Sequence, residues 1–155
     1  MIFGVFGNVP LPFLRLAKKI DEIAGKSKED FFVQAGYTKF PFGHAKYEKF
    51  LDHSAMREKL EKADIVVSHG GYGTLSEAVK MGKKVVAVPR LAGEHNHSQL
   101  ELVQALEKEG YLLGVYEIAD LERKIAEARN FIPSKFKSGN AGEIINKFIA
   151  DQFIQ

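Results

Sequence analysis

The sequence predicts an α/β fold in which a parallel sheet is covered by helices on both faces. Short apolar runs rich in β-branched residues alternate along the chain with segments of helical periodicity, which is typical of a parallel sheet. The clearest unit spans residues 63–89, where a buried strand, a glycine-rich loop, a helix and a second strand follow one another. With 155 residues, we expect a single domain, residues 1–155, with a sizeable core.

The elements of this fold follow in order from apolar periodicity and from turn residues. Strands are predicted at residues 2–6, 31–35, 47–51, 65–67, 84–88 and 112–115. Helices are predicted at about residues 13–24, 54–63, 74–81, 97–109, 118–129 and 140–154. Ser54 is expected to cap the second helix. The last helix carries an apolar stripe, which predicts packing on its own domain or, if the stripe is exposed, a docking surface for a partner.

The composition argues against several classes of function. The formal net charge of +2 is too small to indicate binding to nucleic acid or to a membrane surface. The chain has no cysteine, which excludes a disulfide framework and thiolate metal sites and is compatible with a reducing, cytoplasmic setting. No stretch is long and apolar enough to span a bilayer, and the first residues lack the basic region of a signal peptide.

The glycine-rich loop of the central unit is suited to the approach of an anion. The residues that break the strand pattern are His69, Gly70, Gly71 and Gly73. Thr74 and Glu77 have the spacing of a capping box, so the next helix is predicted to begin at Thr74. The start of a helix has unpaired N–H groups and a partial positive charge, so the sequence predicts a phosphate here. A tight turn without a ligand is the alternative.

The loop matches the dinucleotide fingerprint only in part. Ser76 stands where that fingerprint has its third glycine, and no Gly-Lys-Ser/Thr ends the loop as in a P-loop. The next strand ends in Val88 and Pro89, without the acidic residue that holds the ribose of NAD. A redox dinucleotide-binding domain is therefore disfavoured.

A second strand–glycine–helix connection follows the first strand, with Gly7 and Asn8 at its tip. Ligands of open parallel sheets bind at the carboxyl ends of the strands. We therefore expect Gly7 and Asn8 to lie at the same edge as the glycine loop. An ordinary turn is the alternative, because Gly and Asn are common turn residues.

Polar side chains near these loops have two interpretations each. Glu77 either completes the capping box or accepts hydrogen bonds from a ribose diol. Gln99 either contacts sugar hydroxyls, to which an amide can both donate and accept, or is an exposed helix residue. His69, His95 and His97 lack a carboxylate or cysteine to complete a metal site, and the chain has no Asp-x-Asp. No metal is therefore expected.

Two stretches of the chain resemble a known family. The segments ADIVVSHGGYGTLSEAVKMGKKVVAVPR and EHNHSQLELVQALEKEGYL resemble the C-terminal, nucleotide-sugar-binding domain of family 28 glycosyltransferases. MIFGVFGN and FFVQAGY resemble a narrower group, the stand-alone donor subunits of exopolysaccharide, capsule and dolichol-linked UDP-GlcNAc transferases. This resemblance implies a Rossmann-like domain, the donor half of a GT-B architecture.

The resemblance also implies an activity. The chain would be the donor-binding subunit of an inverting glycosyltransferase that takes GlcNAc or galactose from a UDP-sugar, without an essential metal. The lipid-linked acceptor would be held by a separate, membrane-associated subunit, which would keep this cytoplasmic chain at the inner membrane face. A non-catalytic accessory subunit that stabilises a partner transferase is the alternative.

Site roles carry over from the resemblance residue by residue. The residues that would cradle or border the diphosphate are Gly7, Asn8, Gly70, Gly71, Gly73 and Thr74. Glu77 would hold the ribose, and Gln99, with Asn96 or His97, would contact the sugar. The catalytic base is not identified, and His69 is only a weak candidate for it. Asn8 stands where relatives often have threonine, and the loop His-Asn-His-Ser-Gln departs from the family pattern, so the sugar stays open.

Overall fold

The computed structural model describes residues 1–91 and 99–137, together with Glu143, Ile144 and Asn146, which are helical. The rest of the predicted helix at 140–154 lies outside the described residues, and so do Asn96 and His97. Ile144 packs against the core, and whether the last helix packs on its own domain or docks a partner stays a prediction.

The described residues form one sheet of six parallel strands in the order β3-β2-β1-β4-β5-β6. The strands are β1 (Ile2–Val5), β2 (Phe31–Gln34), β3 (Lys46–Glu48), β4 (Ile65–Ser68), β5 (Lys84–Ala87) and β6 (Leu113–Gly114). Ile2 at the start of β1 pairs with Phe31 and Ile65, so β1, β2 and β4 begin in register. The predicted parallel α/β fold is confirmed.

Helices cover both faces of the sheet. They are α1 (Leu14–Lys26), α2 (His53–Lys62), α3 (Tyr72–Lys80), α4 (Leu100–Lys108) and α5 (Leu121–Ala128), with a 3-10 turn at Ile118–Asp120. Helices α1 and α5 pack with Val67 in one core cluster, and α2, α3 and α4 pack with Val66 in the other. Neighbouring strand residues thus point to opposite faces, as the pleat of a strand requires. None of the described helices has the length and apolarity needed to cross a membrane.

Two predicted helix caps are wrong. Helix α2 begins one residue earlier than predicted, because the carboxylate of Asp52, and not Ser54, accepts from the N–H of Ala55 at 2.8 Å. Helix α3 begins after Gly71, and no side chain caps it. Thr74 therefore lies within the first turn, and the capping box with Glu77 does not form.

The early start of α3 has a backbone cause. Gly70 has a φ of 85°, which turns the chain sharply out of β4. Gly71 is extended, and its carbonyl accepts the first helical hydrogen bond, from Leu75.

The predicted third strand is also displaced, since β3 ends at Glu48 and the chain then leaves the sheet to reach Asp52.

Candidate functional site

The loops that follow β1 and β4 meet around the imidazole of His69. This side chain is buried, and its Nδ1 lies 3.2 Å from the carbonyl oxygen of Val5 in the neighbouring strand. A Cβ placed on Gly7 would lie 2.5 Å from Nε2 of His69, and one placed on Gly71 would be closer still. The imidazole therefore fits only because both neighbours are glycines, and it fixes the spacing of the two loops.

The partner of Nδ1 decides the tautomer of His69. A carbonyl oxygen only accepts hydrogen bonds, so we assign a proton to Nδ1. The other nitrogen, Nε2, lies between Gly7 and Gly71. The contacts thus give His69 a positioning role, and a catalytic role for it stays a prediction.

Gly70 and Gly73 are glycines for different reasons. A Cβ on Gly70 would lie 3.2 Å from Cα of Pro89 and 3.3 Å from Oε1 of Gln99, so Gly70 allows a close approach to the end of β5. A Cβ on Gly73 would meet no atom within 4 Å, and Gly73 is exposed in the first turn of α3. The fold itself therefore requires Gly70 but does not require Gly73.

The first turn of α3 presents backbone donors to this open space. The first N–H groups of a helix have no acceptor within the helix, and no side chain caps α3. These N–H groups belong to Tyr72, Gly73 and Thr74, at the positive end of the helix dipole. Glu77 lies one turn further on and is partly exposed. Because the capping box is absent, its carboxylate is not engaged at the start of the helix.

Gln99 is buried, so its interpretation as an exposed helix residue is wrong. It is the residue before α4, and its Oε1 accepts from the backbone N–H of Arg90 at 3.1 Å. This contact fixes the orientation of the amide. Any contact between Gln99 and a ligand would therefore use the Nε2 group as a donor.

Gln34 was missed by sequence reasoning and ties the β1 loop to its neighbours. Its side chain is buried at the end of β2, where Oε1 accepts from the N–H of Gly7 at 3.2 Å. Its Nε2 donates to the carbonyls of Gly7 and Lys49 and, at 3.4 Å, to Oδ1 of the exposed Asn8. A polar residue at the end of the otherwise apolar FFVQ strand was the available signal.

Arg90 was also missed. It directly follows Pro89, three residues after the end of β5, and it is buried with 2% of its surface exposed. Its guanidinium donates to three backbone carbonyls of the β1–α1 loop, those of Phe6, Leu11 and Pro12. The signal was a charged residue placed within three residues of the end of a buried strand.

A separate pocket of about 450 Å³ opens at the same edge of the sheet, between the loops after β2 and β3. Phe40 forms part of its wall, and Lys39 and Lys49 contribute cationic groups. Thr38, which also lines it, accepts from the N–H of Phe13 just before α1 at 2.9 Å. The pocket thus lies on the side covered by α1, whereas α3 lies on the opposite face.

In the described part of the chain, no three His, Asp or Glu side chains are grouped so as to hold a metal ion. His95 and His97 are not among the described residues. The first turn of α3 presents backbone N–H groups beside the open space at Gly73.

The described residues form a Rossmann-like α/β domain, and this fold is similar to that of domains in solved GT-B glycosyltransferases. The calicheamicin glycosyltransferase CalG4 matches with a TM-score of 0.65 and 15% identity, over 97% of this chain and 37% of CalG4. SsfS6 of Streptomyces sp. SF2575, a glycosyltransferase complexed with thymidine diphosphate, matches with a TM-score of 0.56 and 21% identity, over 96% of this chain and 37% of SsfS6. At these identities the likeness shows the fold alone.

Residues 11–152 match the glycosyltransferase family 28 C-terminal domain, and the chain belongs to that family. The human UDP-N-acetylglucosamine transferase subunit ALG13 is 43% identical over 58 residues, which are 37% of this chain. The mouse protein of the same name is 41% identical over 58 residues. The match spans 5% of the length of these curated relatives. The family resemblance predicted from the sequence is confirmed.

Proposed function

We propose that this chain is the donor-binding subunit of an inverting glycosyltransferase that transfers a sugar from a UDP-sugar to a lipid-linked acceptor. GlcNAc or galactose is the proposed sugar. The observation that carries the proposal is the open space over Gly73, beside the uncapped first turn of α3. Family membership and the printed name of the ALG13 relatives support a UDP-sugar as the donor.

In this proposal the diphosphate binds at the start of α3. The N–H groups of residues 72–74 donate to its oxygens, and the positive end of the helix dipole stabilises its charge. Gly73 leaves room for the phosphate, and Gly7 and Asn8 border it from the β1 loop, which His69 holds at its spacing from Gly71. Gly70 and Thr74 complete this cradle.

The ribose and the sugar lie on either side of the diphosphate. Glu77, which has no capping role, accepts hydrogen bonds from the ribose hydroxyls through its partly exposed carboxylate. Gln99 donates to a sugar hydroxyl through Nε2, because its Oε1 is held by Arg90. Asn96 and His97 are proposed as further sugar contacts.

The transfer step then requires little from this chain beyond binding and charge stabilisation. The acceptor hydroxyl oxygen attacks the anomeric carbon opposite the diphosphate, and the bond from that carbon to the diphosphate oxygen breaks. UDP leaves with the bonding electrons, and the α3 N-terminus stabilises the added charge without an essential metal. The hydroxyl proton passes to a base, for which we propose a residue of the partner subunit.

The apolar rim of the site supports a protein partner. Seven large hydrophobic side chains are exposed in the described residues, and five of them follow the ends of β1 to β5 in turn. These five are Leu14, Tyr37, Phe50, Tyr72 and Leu91. An apolar rim at one edge is typical of a protein interface. We propose that a membrane-associated, acceptor-binding subunit covers this edge and holds the cytoplasmic chain at the membrane.

Calorimetric titration of the chain with UDP, UDP-GlcNAc, UDP-galactose and NAD tests the proposal. We expect binding selective for uridine nucleotides, and about tenfold weaker binding in Glu77→Ala, as for loss of a hydrogen bond to a charged group. Glu58→Ala, on the exposed face of α2, is the matched control and should bind as the wild type does. Preference for NAD would contradict the proposal, and binding of none of the four would favour the accessory subunit.

A further inference from the structure

Arg90 joins two loops that flank the proposed donor site. One Nη atom donates to the carbonyl of Pro12 at 3.1 Å, and the other donates to those of Phe6 at 3.2 Å and Leu11 at 3.1 Å. These carbonyls begin and end the loop that carries Gly7 and Asn8. One side chain at the end of β5 therefore determines the path of the β1–α1 loop.

The ring of Phe13 reinforces this junction. The Arg90 guanidinium lies 4.4 Å from the ring centroid and the Arg15 guanidinium lies 4.8 Å from it. Arg15 also donates to the carbonyl of Pro89 at 2.8 Å. The loop after β1 and the end of β5 are thus linked in both directions, by Arg90 toward the loop and by Arg15 toward the strand end.

The backbone of Arg90 completes a path across the site. Its N–H donates to Oε1 of Gln99, while its guanidinium holds the segment next to Gly7. The same residue therefore sets the position of a proposed sugar contact and of a proposed diphosphate contact. A planar guanidinium with five donors can reach three carbonyls at once, which the compact ammonium of lysine does not do.

We propose that Arg90 is a positioning residue for the donor, which fixes the β1–α1 loop and Gln99 at the distance that a nucleoside diphosphate sugar requires. This inference rests on the proposed function for its ligand. Arg90 acts through Gly7 and Gln99 and does not itself touch the substrate. Its loss should weaken binding of the diphosphate more than binding of the nucleoside.

The test compares Arg90→Lys with the wild type in titrations with uridine, UDP and UDP-GlcNAc. We expect the affinity for UDP and UDP-GlcNAc to fall about tenfold and that for uridine by less than about twofold, because a misplaced loop affects only the groups it contacts. Arg57→Lys, at an exposed ion pair on α2, is the matched control and should leave the affinities for all three ligands unchanged. Equal losses for uridine and UDP, or no loss, would overturn the proposal.

A second variant covers the outcome in which Arg90→Lys does not fold. Thr38→Val removes the hydroxyl that accepts from the N–H of Phe13, so it loosens the same loop from its other end. Thr38→Val should also lower the affinity for UDP more than that for uridine, but by a smaller factor than Arg90→Lys does. If it weakens uridine and UDP equally, the positioning role is wrong.

Hydrogen exchange separates this inference from the proposed function. If the wild type binds no uridine nucleotide, the proposed function fails. Amide exchange in the β1–α1 loop still tests whether Arg90 holds that loop in place. The amides of Gly7 and Phe13 are both hydrogen-bonded to side chains and should exchange faster in Arg90→Lys, while those of α2 should not change. Unchanged exchange at Gly7 and Phe13 would overturn the positioning role whatever the nucleotide does.

Discussion

Two sets of three consecutive backbone N–H groups differ in what the fold gives them. The N–H groups of residues 43–45 all donate to the buried carboxylate of Asp21, at 2.9 to 3.0 Å. The N–H groups of residues 72–74, at the start of α3, have no side-chain cap. The fold thus supplies its own carboxylate to residues 43–45 and leaves the first turn of α3 without a side-chain cap, where we propose that an anion from outside binds.

Gly71 and Gly73 show a similar difference between a position that the fold requires and one that it leaves open. Gly71 is required by the protein itself, because a Cβ there would overlap the imidazole of His69. Gly73, two residues later, has open space where its side chain would be. A dense run of glycines therefore mixes positions that the fold requires with one, Gly73, that it does not require.

The largest expected effect is on stability, at Gly71. Gly71→Ala should lower the free energy of unfolding by about 2–3 kcal/mol, because the added methyl group overpacks against His69. Urea denaturation measures it. In a His69→Ala background, where the ring is absent, the same substitution should cost much less. If Gly71→Ala lowers the free energy of unfolding equally in both backgrounds, the imidazole of His69 is not the reason that position 71 requires glycine.

The loop of residues 43–45, whose N–H groups donate to Asp21, gives the next largest expected effect on stability. Asp21→Asn should lower the free energy of unfolding by about 2 kcal/mol near pH 7, because the amide keeps one acceptor oxygen for three N–H groups. Thermal or urea unfolding checks this value. A cost below about 0.5 kcal/mol would contradict the role assigned to the carboxylate.

The pH dependence of that cost follows from the pKa of Asp21. Burial by itself raises the pKa, but the three backbone hydrogen bonds and the nearby His44 outweigh it and lower the pKa below 3.8. The stabilisation is therefore fully present above the unfolded-state pKa and is lost as the pH falls through the folded-state pKa. The difference between wild type and Asp21→Asn should be present between pH 7 and about 5 and shrink below about 4.

The smallest effect on stability, and the sharpest on binding, is expected at Gly73. Gly73→Ala should leave the free energy of unfolding unchanged or raise it by up to about 1 kcal/mol, since alanine is the better helix residue. Its affinity for UDP should fall about tenfold, because the methyl group enters the phosphate space. Ser54→Ala, at the same position in α2, is the matched control. Unchanged affinity would remove the ligand-based explanation of this glycine.

The sheet and most helices could be predicted from the sequence because their signals are local. Runs such as Ile65–Ser68 and the apolar spacing of α1 determine strand and helix without distant contacts. The start of α3 was not predictable in this way. The capping pattern of Thr74 and Glu77 is a valid local signal, but the turn at Gly70 sets the helix start at Tyr72, two residues earlier than Thr74.

The site could be predicted only in part, for a related reason. The glycine loops can be recognised from their composition, whereas Gln34 and Arg90 act through contacts with residues far along the chain. Arg90 and Phe6 are 84 positions apart, and Gln34 and Gly7 are 27 apart. The burial of Gln99 was not predictable, because it depends on the approach of Gly70, which no helical pattern reveals.

Amide chemical shifts during titration with UDP test the central claim most directly. The account predicts that the largest shifts fall on the amides of residues 72–74, as phosphate oxygens accept from them, while those of residues 43–45 stay in place because Asp21 already occupies them. Shifts confined to the pocket beside Lys39 and Lys49, with residues 72–74 unmoved, would contradict the account.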